Sequence, residues 1–222
     1  MPTSEKKFYE LSLPERLEEL ARESGLPLQT LAPLTGQNGL TPEQADHMVE
    51  NAIGVYSLPL GIARNFVING REYLIPMAVE EPSVIAGASF MAKLARSGGG
   101  FNASADAPEM IGQLQLLDVK DFEQTIRLLE EHKAELLEIA NGIDPVLSRF
   151  GGGARDLIIR TIPQSPIGAF LVVHLIYDVR DAMGANAVNT ALENLAPRIA
   201  AITGTRVHLR ILSNLADRRL AR

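Results

Sequence analysis

Two adjacent glutamates, Glu80 and Glu81, are the residues of this sequence best placed for proton transfer. The apolar run Tyr73–Val79 before them predicts a strand, and Ser83–Arg96 after them predicts a helix that is apolar nearly all round and so packed between layers. Burial between two such elements would raise the pKa of a carboxyl group towards the range that acid catalysis needs. Spacing alone favours a simpler alternative, in which both glutamates only stabilise the positive end of the helix dipole.

The loop Arg180–Asn186 is a second candidate site, because it follows the apolar strand Gly168–Asp178 and opens a helix. The free N–H groups and the dipole at a helix N-terminus attract an anion such as phosphate. Gly184 would let a phosphate approach the backbone, and Arg180 would add positive charge. The spacing is not the GxGxxG of a Rossmann unit. An αβ turn capped by Asn186 therefore explains the loop equally well.

Other residue types limit the chemistry that this chain can perform. The sequence has no cysteine, which excludes thiolate catalysis, disulfides and cysteine-based zinc sites. Its four histidines have no metal-ligand spacing, so we expect no metal site. His174 lies inside an apolar strand and is expected in the core. Gly151–Gly153 favours a flexible connector over a second phosphate-binding loop.

The composition and charge indicate a globular protein, and the absence of cysteine fits a reducing compartment. Of the 222 residues, 46% are hydrophobic and the net charge is −6, which argues against a nucleic-acid or acidic-membrane binder. No apolar run approaches the roughly 20 residues of a membrane span. The first residues, Met1–Lys7, are followed by a charged segment and not by an apolar signal core. We therefore expect a soluble, cytoplasmic protein with no membrane and no nucleic-acid partner.

The hydrophobic patterns predict an α+β fold. The second half contains strands, helices and turns in the order β-α-β-β-α-β of a ferredoxin-like sandwich. Its predicted elements are strand 113–119, helix 121–140, strands 154–162 and 168–178, helix 186–202 and strand 206–212. In the first half, capping boxes at Ser12 and Thr41 predict two helix starts. An Asn69-Gly70 type I′ turn joins an extended segment from Ile53 to the strand that ends at Val79.

Several longer motifs resemble hydroxymethylglutaryl-CoA reductase, in its bacterial class II branch of the degradative type. They are Glu50–Gly54, Asn65–Gly70, Val79–Ser83, Met91–Arg96, Asp178–Asn186 and Ser213–Asp217. The similarity runs from about residue 12 to the end of the chain. The resemblance implies an oxidoreductase that interconverts mevalonate plus CoA and hydroxymethylglutaryl-CoA through mevaldyl-CoA and mevaldehyde, with NAD as the expected cofactor and NADP less favoured.

The resemblance also implies roles for individual residues. Glu81 corresponds to the catalytic acid, and Ser83 and Asn214 correspond to substrate-binding positions. Asp144 falls where an acidic residue can bind the adenosine ribose hydroxyls, which favours NAD over NADP. The remaining cofactor-binding positions are Arg180, Asp181, Met183, Gly184, Ala185 and Asn186. Glu50, Asn51 and Gly54 correspond to a dimer interface, so we expect a homodimer or a higher oligomer of dimers.

The resemblance sets the expected domains and one departure. We expect residues 1–106 to begin a larger, helix-rich substrate-binding domain, residues 107–213 to form an inserted NAD-binding domain, and residues 214–222 to return to the larger one. The family's chain continues for roughly as much again and there supplies a lysine, an aspartate and a histidine to the site. No residue of 1–222 replaces them, so we expect no turnover from this chain alone. The alternatives are a nucleotide-binding fragment without turnover and, disfavoured by negative charge and few strand aromatics, an RNA-binding or regulatory module.

Overall fold

The chain forms two compact units, residues 1–103 and 104–222, in a computed structural model that describes residues 6–36 and 39–222. The sequence placed the boundary at 106–107, three residues later, and residues 214–222 belong to the second unit. Residues 1–5, which contributed to the expected location of the protein, lie outside the described part. The fold is α+β, as predicted.

The described residues of the first unit form three α-helices, 3₁₀ segments and one hairpin. Its elements are α1 (Leu13–Ser24), a 3₁₀ segment (Leu28–Thr35), α2 (Pro42–Met48), β1 (Leu60–Ile68), β2 (Arg71–Ala78) and α3 (Pro82–Ser97). Both predicted capping boxes are confirmed: Glu15 and Gln44 accept from the backbone N–H groups of Ser12 and Thr41. Each box satisfies N–H groups that the first helical turn leaves free, which fixes where α1 and α2 begin.

The hairpin turn is confirmed, but the strand before it is shorter than predicted. Asn69 and Gly70 have φ angles of 50° and 77°, as a type I′ turn requires. The segment predicted to be extended from Ile53 becomes a strand only at Leu60. The backbone hydrogen bond that closes this end of the hairpin joins the Val79 N–H to the Pro59 carbonyl. Residues 53–59 have no partner strand among the described residues.

Helix α3 is not packed between two layers, and that prediction is wrong. One of its faces lies on β1, where the Ser89 carbonyl accepts a 3.0 Å bond from the Asn65 side chain and Ala92 is buried. Phe90 and Met91, on other sides of the helix, are each 59% exposed. The apolar composition was read correctly, but no described layer of this unit covers the second face.

The second unit is the predicted ferredoxin-like sandwich. Its elements are β3 (Glu109–Leu117), α4 (Phe122–Glu131), α5 (Lys133–Gly142), α6 (Pro145–Arg149), β4 (Gly153–Ile162), β5 (Phe170–Asp178), α7 (Ala185–Thr203) and β6 (Arg206–Leu212). The strands are ordered β4-β5-β3-β6 with every neighbouring pair antiparallel. The single helix predicted over 121–140 is divided at His132, whose ring nitrogen bonds the Leu128 carbonyl at 2.8 Å.

The core of this unit lies between the sheet and its helices. Leu114 and Leu175 on the sheet and Leu192 on α7 are fully buried. Gly112 permits this packing, because a Cβ atom there would lie 2.9 Å from side-chain atoms of Leu192 and Val188 on α7. His174 is buried as expected, and burial lowers the pKa of its imidazole. The tight packing fixes the two ends of β5 and hence the loop that follows it.

Candidate functional site

Glu81 is the N-cap of α3 and is exposed in the first unit. One carboxylate oxygen accepts from the Ser83 backbone N–H at 3.1 Å, and the other accepts from the Ser83 hydroxyl at 2.5 Å. The hydroxyl bond and the backbone bond lower the pKa of Glu81. The prediction of a buried carboxyl with a raised pKa is therefore wrong for the described chain, because no described residue covers this helix start. Capping is the arrangement that the spacing alone favoured.

A cleft opens beside α3 within the first unit. Its volume is about 1180 Å³, and Pro82, Ile85 and Ser89 on α3 contribute to its wall. Lys93 on α3 also lines this cleft. Ser83 donates its hydroxyl proton to Glu81, so it can meet a further group only through its oxygen lone pairs. Its substrate-binding role stays a prediction.

The loop after β5 leads into the start of α7 in the second unit. Gly184 is the N-cap, with a φ of 87°, and no side chain among the described residues caps this helix. Asn186 lies inside the helix, so the interpretation as an Asn-capped turn is wrong. A Cβ atom on Gly184 would lie 2.6 Å from Val179 Cγ1 and 2.7 Å from Met110 Sδ. The backbone angle and this packing, more than phosphate approach, are what require glycine here.

Two arginines meet one buried carboxylate beside this loop. Asp178 Oδ2 accepts from Arg155 at 2.9 Å and from Arg180 at 2.5 Å, while Oδ1 accepts from the Arg180 backbone N–H at 3.0 Å. Both guanidinium groups also donate to the Gly151 carbonyl. Asp178 is 3% exposed, but the side chains of Arg155 and Arg180 are 38% and 42% exposed. These three side chains, the Asp178 cluster, carry a net charge of +1.

The bonds to the arginines control the ionisation of Asp178. Burial alone would raise its pKa, but the Arg155 bond, the Arg180 backbone bond and the two positive charges together lower it. Sequence reasoning missed Arg155 because its link to Asp178 depends on strand pairing. Gly153 lies opposite Asp178 in the β4–β5 register, which brings the glycine loop and the Arg180 loop together.

Asp144 is the N-cap of α6, at the same end of the sheet. Its Oδ1 accepts from the Leu147 backbone N–H at 2.8 Å. Its charge, together with burial as the larger cause, raises the pKa of Tyr177, whose buried hydroxyl has no hydrogen-bond partner among the described residues. One oxygen of Asp144 thus caps its own helix, and the contact of Asp144 with the ribose hydroxyls stays a prediction.

The other predicted site residues divide between the two units. Asp181, Met183 and Asn186 are exposed and Ala185 is half-buried, all in the second unit with Asp144 and Arg180. Asn214 is exposed after β6 in the same unit. Glu50, Asn51 and Gly54 are exposed in the first unit, between α2 and β1. The roles of all these residues remain predictions.

The described residues form neither a metal-binding cluster nor a membrane-spanning helix. Within residues 6–36 and 39–222, no group of three or more His, Asp or Glu residues is arranged to hold a metal ion. In the same part of the chain, no helix combines the length and the apolar character needed to cross a membrane.

The substitution Asp178→Asn is expected to lower the free energy of unfolding of the second unit by about 1–3 kcal/mol at neutral pH. Breaking a fully buried pair costs more, but these arginines are more than a third exposed and solvent screens them. The lowered pKa of Asp178 means that its stabilisation is present above the ordinary carboxyl pKa and is lost as pH falls through the lowered value. Urea unfolding at neutral pH and at successively more acidic pH should show the difference shrinking. The exposed loop variant Asp181→Asn serves as control and should change little at any pH.

Three comparisons relate the chain to known proteins. Residues 12–222 match the family model of hydroxymethylglutaryl-coenzyme A reductase. A 3-hydroxy-3-methylglutaryl-coenzyme A reductase of Archaeoglobus fulgidus is 49% identical over 215 residues, which are 97% of this chain and 49% of the relative. A probable reductase of Borreliella burgdorferi is 34% identical, over 76% of this chain and 37% of the relative. The class II reductase of Streptococcus pneumoniae, solved bound to NADPH in open conformations, superposes with a TM-score of 0.88 at 37% identity, over 99% of this chain and 59% of that one.

These matches relate the chain first to a family of oxidoreductases. It belongs to the hydroxymethylglutaryl-coenzyme A reductase family, and the resemblance to the class II branch is confirmed. The chain spans about half the length of the curated Archaeoglobus fulgidus relative.

The predicted cofactor, NAD in preference to NADP, is wrong. The similar pneumococcal structure is bound to NADPH. The NAD preference rested on Asp144, which in the structure caps α6 through one of its two carboxylate oxygens. The prediction also missed the positive Asp178 cluster at the same end of the sheet.

Proposed function

We propose that this chain supplies the dinucleotide-binding domain and the catalytic acid of a hydroxymethylglutaryl-CoA reductase that uses NADP(H). The reaction interconverts mevalonate plus CoA and hydroxymethylglutaryl-CoA. One observation carries the proposal: 99% of the chain superposes, with a TM-score of 0.88, on a class II reductase bound to NADPH. We further propose that Glu50, Asn51 and Gly54 contact a second copy in a homodimer, and that the cysteine-free protein works in the cytoplasm.

The second unit has the features that a phosphorylated dinucleotide needs. The start of α7 offers backbone N–H groups with no side-chain cap among the described residues, which suits a phosphate. Arg180 lies in the loop before α7, and Arg155 binds the same carboxylate, that of Asp178. The two guanidinium groups are partly exposed and leave the Asp178 cluster with one excess positive charge, which suits the additional phosphate that distinguishes NADP from NAD. When bound, the dinucleotide supplies or accepts the hydride. Asp181, Met183, Ala185 and Asn186 complete the proposed contact surface.

The residues of the first unit act on the substrate. Glu81 exchanges a proton with the substrate oxygen, and Ser83 binds the hydroxymethylglutaryl group. For Asn214, which belongs to the second unit, a substrate-binding role stays a separate prediction. In the described chain Ser83 keeps Glu81 ionised, because its two hydrogen bonds favour the charged form. Acting as an acid near neutral pH therefore requires a surface that covers Glu81 and raises its pKa by removing water.

NADPH titration of the 222-residue chain tests the dinucleotide site. We expect saturable binding, followed by NADPH fluorescence, which is readily observed because the sequence contains no tryptophan. Arg155→Met should weaken NADPH binding by about 10- to 150-fold, because a charged hydrogen bond contributes about 1.5–3 kcal/mol. NADH binding should change much less in the same variant. NADH has the pyrophosphate but lacks the additional phosphate of NADPH, which is the group that the arginine would bind.

The matched control is Arg127→Met, which removes an exposed arginine on α4 that pairs with Glu123. Its NADPH affinity should equal that of the parent. Absence of NADPH binding by the parent chain would remove the support for the site. An equal loss for NADPH and NADH in Arg155→Met would assign the arginine a structural role.

A second candidate function is nucleotide binding without turnover. It is favoured by the length of the chain, which spans 49% of the Archaeoglobus fulgidus relative. The two candidates differ in one measurement, mevalonate-dependent reduction of NADP by the purified 222-residue chain. The resemblance places the family's lysine, aspartate and histidine beyond the matched part, so the chain alone should bind the dinucleotide without reducing it.

A further inference from the structure

We propose that the exposed ring of Phe150 in the second unit stacks on the adenine base of the dinucleotide, with Val146 as its aliphatic neighbour. The inference rests on the proposed function, which assigns the start of α7 and two arginines to phosphate groups. It adds a residue for the base. The ligand class is an adenosine that carries a phosphate on its ribose.

Phe150 is unusual in its exposure, which is 72%. The other aromatic residues of the second unit, which the structure describes completely, are half-buried or buried: Phe122, Phe170 and Tyr177. Val146 is 66% exposed and precedes Phe150 by four residues, so the two side chains lie on the same side of a helical turn. A single exposed apolar residue is ordinary, but a neighbouring pair with one aromatic member offers a flat apolar surface to a ligand.

The turn after α6 holds this ring at the surface. The Phe150 N–H donates to the carbonyls of Leu147 and Val146 at 3.1 and 3.3 Å. The Leu147 side chain turns into the core instead, where it is buried. Gly152 lets the chain pass close to it, because a Cβ atom there would lie 2.7 Å from Leu147 Cγ and 2.8 Å from the Asp178 carbonyl oxygen. The exposure of Phe150 therefore follows from packing on the opposite side of the turn.

The residue after Phe150 connects it to the two arginines. The Gly151 carbonyl accepts from the guanidinium groups of both Arg155 and Arg180. Adjacent Cα atoms are about 3.8 Å apart, so the Phe150 backbone lies within one residue of the point where the arginines meet. Both guanidinium groups are partly exposed. An aromatic surface and a positively charged surface therefore occur on the same loop.

The covalent structure of the ligand requires these two surfaces to be close. In NADPH the adenine base and the additional phosphate are attached to neighbouring carbons of one ribose. A loop whose arginines bind that phosphate therefore has the base within its reach. Aromatic side chains bind bases by stacking on their faces, without specific hydrogen bonds. Phe150 is the exposed aromatic residue of the described second unit, and it adjoins those arginines.

Phe150→Trp tests the stacking directly. The sequence contains no tryptophan, so the indole in this variant is the only one in the chain. The ligand is adenosine 2′,5′-bisphosphate, which has the base and the additional phosphate but no nicotinamide. We expect saturable quenching of the indole fluorescence. The matched control is Ile167→Trp, at an exposed apolar residue in the connection between β4 and β5 at the other end of the sheet, where the fluorescence should not change.

Phe150→Ala measures how much the ring contributes to binding. Calorimetry should show the affinity for adenosine 2′,5′-bisphosphate falling by about 5- to 150-fold, the range expected when one base–aromatic stack is lost. Phe150→Tyr keeps the ring and should bind like the parent chain. Urea unfolding should show equal stability of the parent and Phe150→Ala, because the ring is exposed. A purely structural role of Phe150 would not produce this combination.

Three results would overturn the stacking. The first is an unchanged affinity for adenosine 2′,5′-bisphosphate in Phe150→Ala, and the second is unchanged fluorescence of Phe150→Trp at saturating ligand. The third is a parent chain that binds NADPH but not the bisphosphate. Each of these, with NADPH bound by the parent, leaves the proposed function standing and assigns the exposed pair to contact with a polypeptide. A parent chain that does not bind NADPH would instead overturn the dinucleotide site, and the stacking with it.

Discussion

Glu81→Gln is expected to lower turnover by at least about a hundredfold when the chain is combined with the unmatched part of the Archaeoglobus fulgidus relative. The affinity for NADPH should stay unchanged. Glutamine keeps the shape of the side chain and can still accept hydrogen bonds, but it cannot exchange a proton with the substrate oxygen. Turnover is measured with hydroxymethylglutaryl-CoA and NADPH after the chain has been combined with the unmatched part of the Archaeoglobus fulgidus relative. Dinucleotide affinity is measured by NADPH fluorescence.

The neighbouring variant Glu80→Gln is the control, because Glu80 is also exposed and lies one residue before the cap. Turnover close to that of the parent in Glu81→Gln would reduce the role of Glu81 to capping α3. The bonds from Ser83 lower the pKa of Glu81 in the described chain. Covering it should move that pKa upward, so reduction should slow at high pH, where the acid is deprotonated.

Gly184→Ala is expected to destabilise the second unit by about 2–4 kcal/mol and to abolish tight NADPH binding. Alanine is strained at a φ of 87°, and its Cβ would overlap Val179 and Met110. Relief of that overlap must shift the start of α7, which carries the proposed phosphate contacts. Urea unfolding and NADPH titration measure the two effects.

Gly204→Ala provides a matched control at the other end of α7. Gly204 also has a positive φ, 66°, but a Cβ there would meet nothing within 4 Å. Its cost should therefore be limited to backbone strain, about 1–2 kcal/mol, with NADPH binding retained. Equal losses in both variants would contradict the packing role assigned to Gly184.

The sequence predicted the second unit well because the patterns that define it are local. Strand 206–212 was predicted with the bounds that the structure has, and 154–162 differs by one residue from β4. The break of the long helix at His132 was missed, because the residues on both sides are good helix formers and no Gly or Pro marks the break. The apolar periodicity of β5 also predicted correctly that His174 would be buried.

The candidate site was predicted less completely, because its geometry depends on contacts between distant parts of the chain. The pairing of Gly153 with Asp178 brings Arg155 to Arg180 across the β4–β5 ladder, and no local motif indicates it. The exposure of Glu81 was mispredicted for a related reason. The apolar sequence of α3 predicts that other secondary-structure elements pack on it. It does not predict whether those elements belong to the same stretch of chain.

The uneven division of buried side chains between the two units affects how unfolding of this chain has to be interpreted. Residues 104–222 contain a continuous core, whereas the described residues of 1–103 bury little apolar area. Loss of structure in the two units therefore need not be cooperative, and a two-state treatment would combine two separate equilibria. A single melting temperature of the isolated chain would report chiefly on the ferredoxin-like unit.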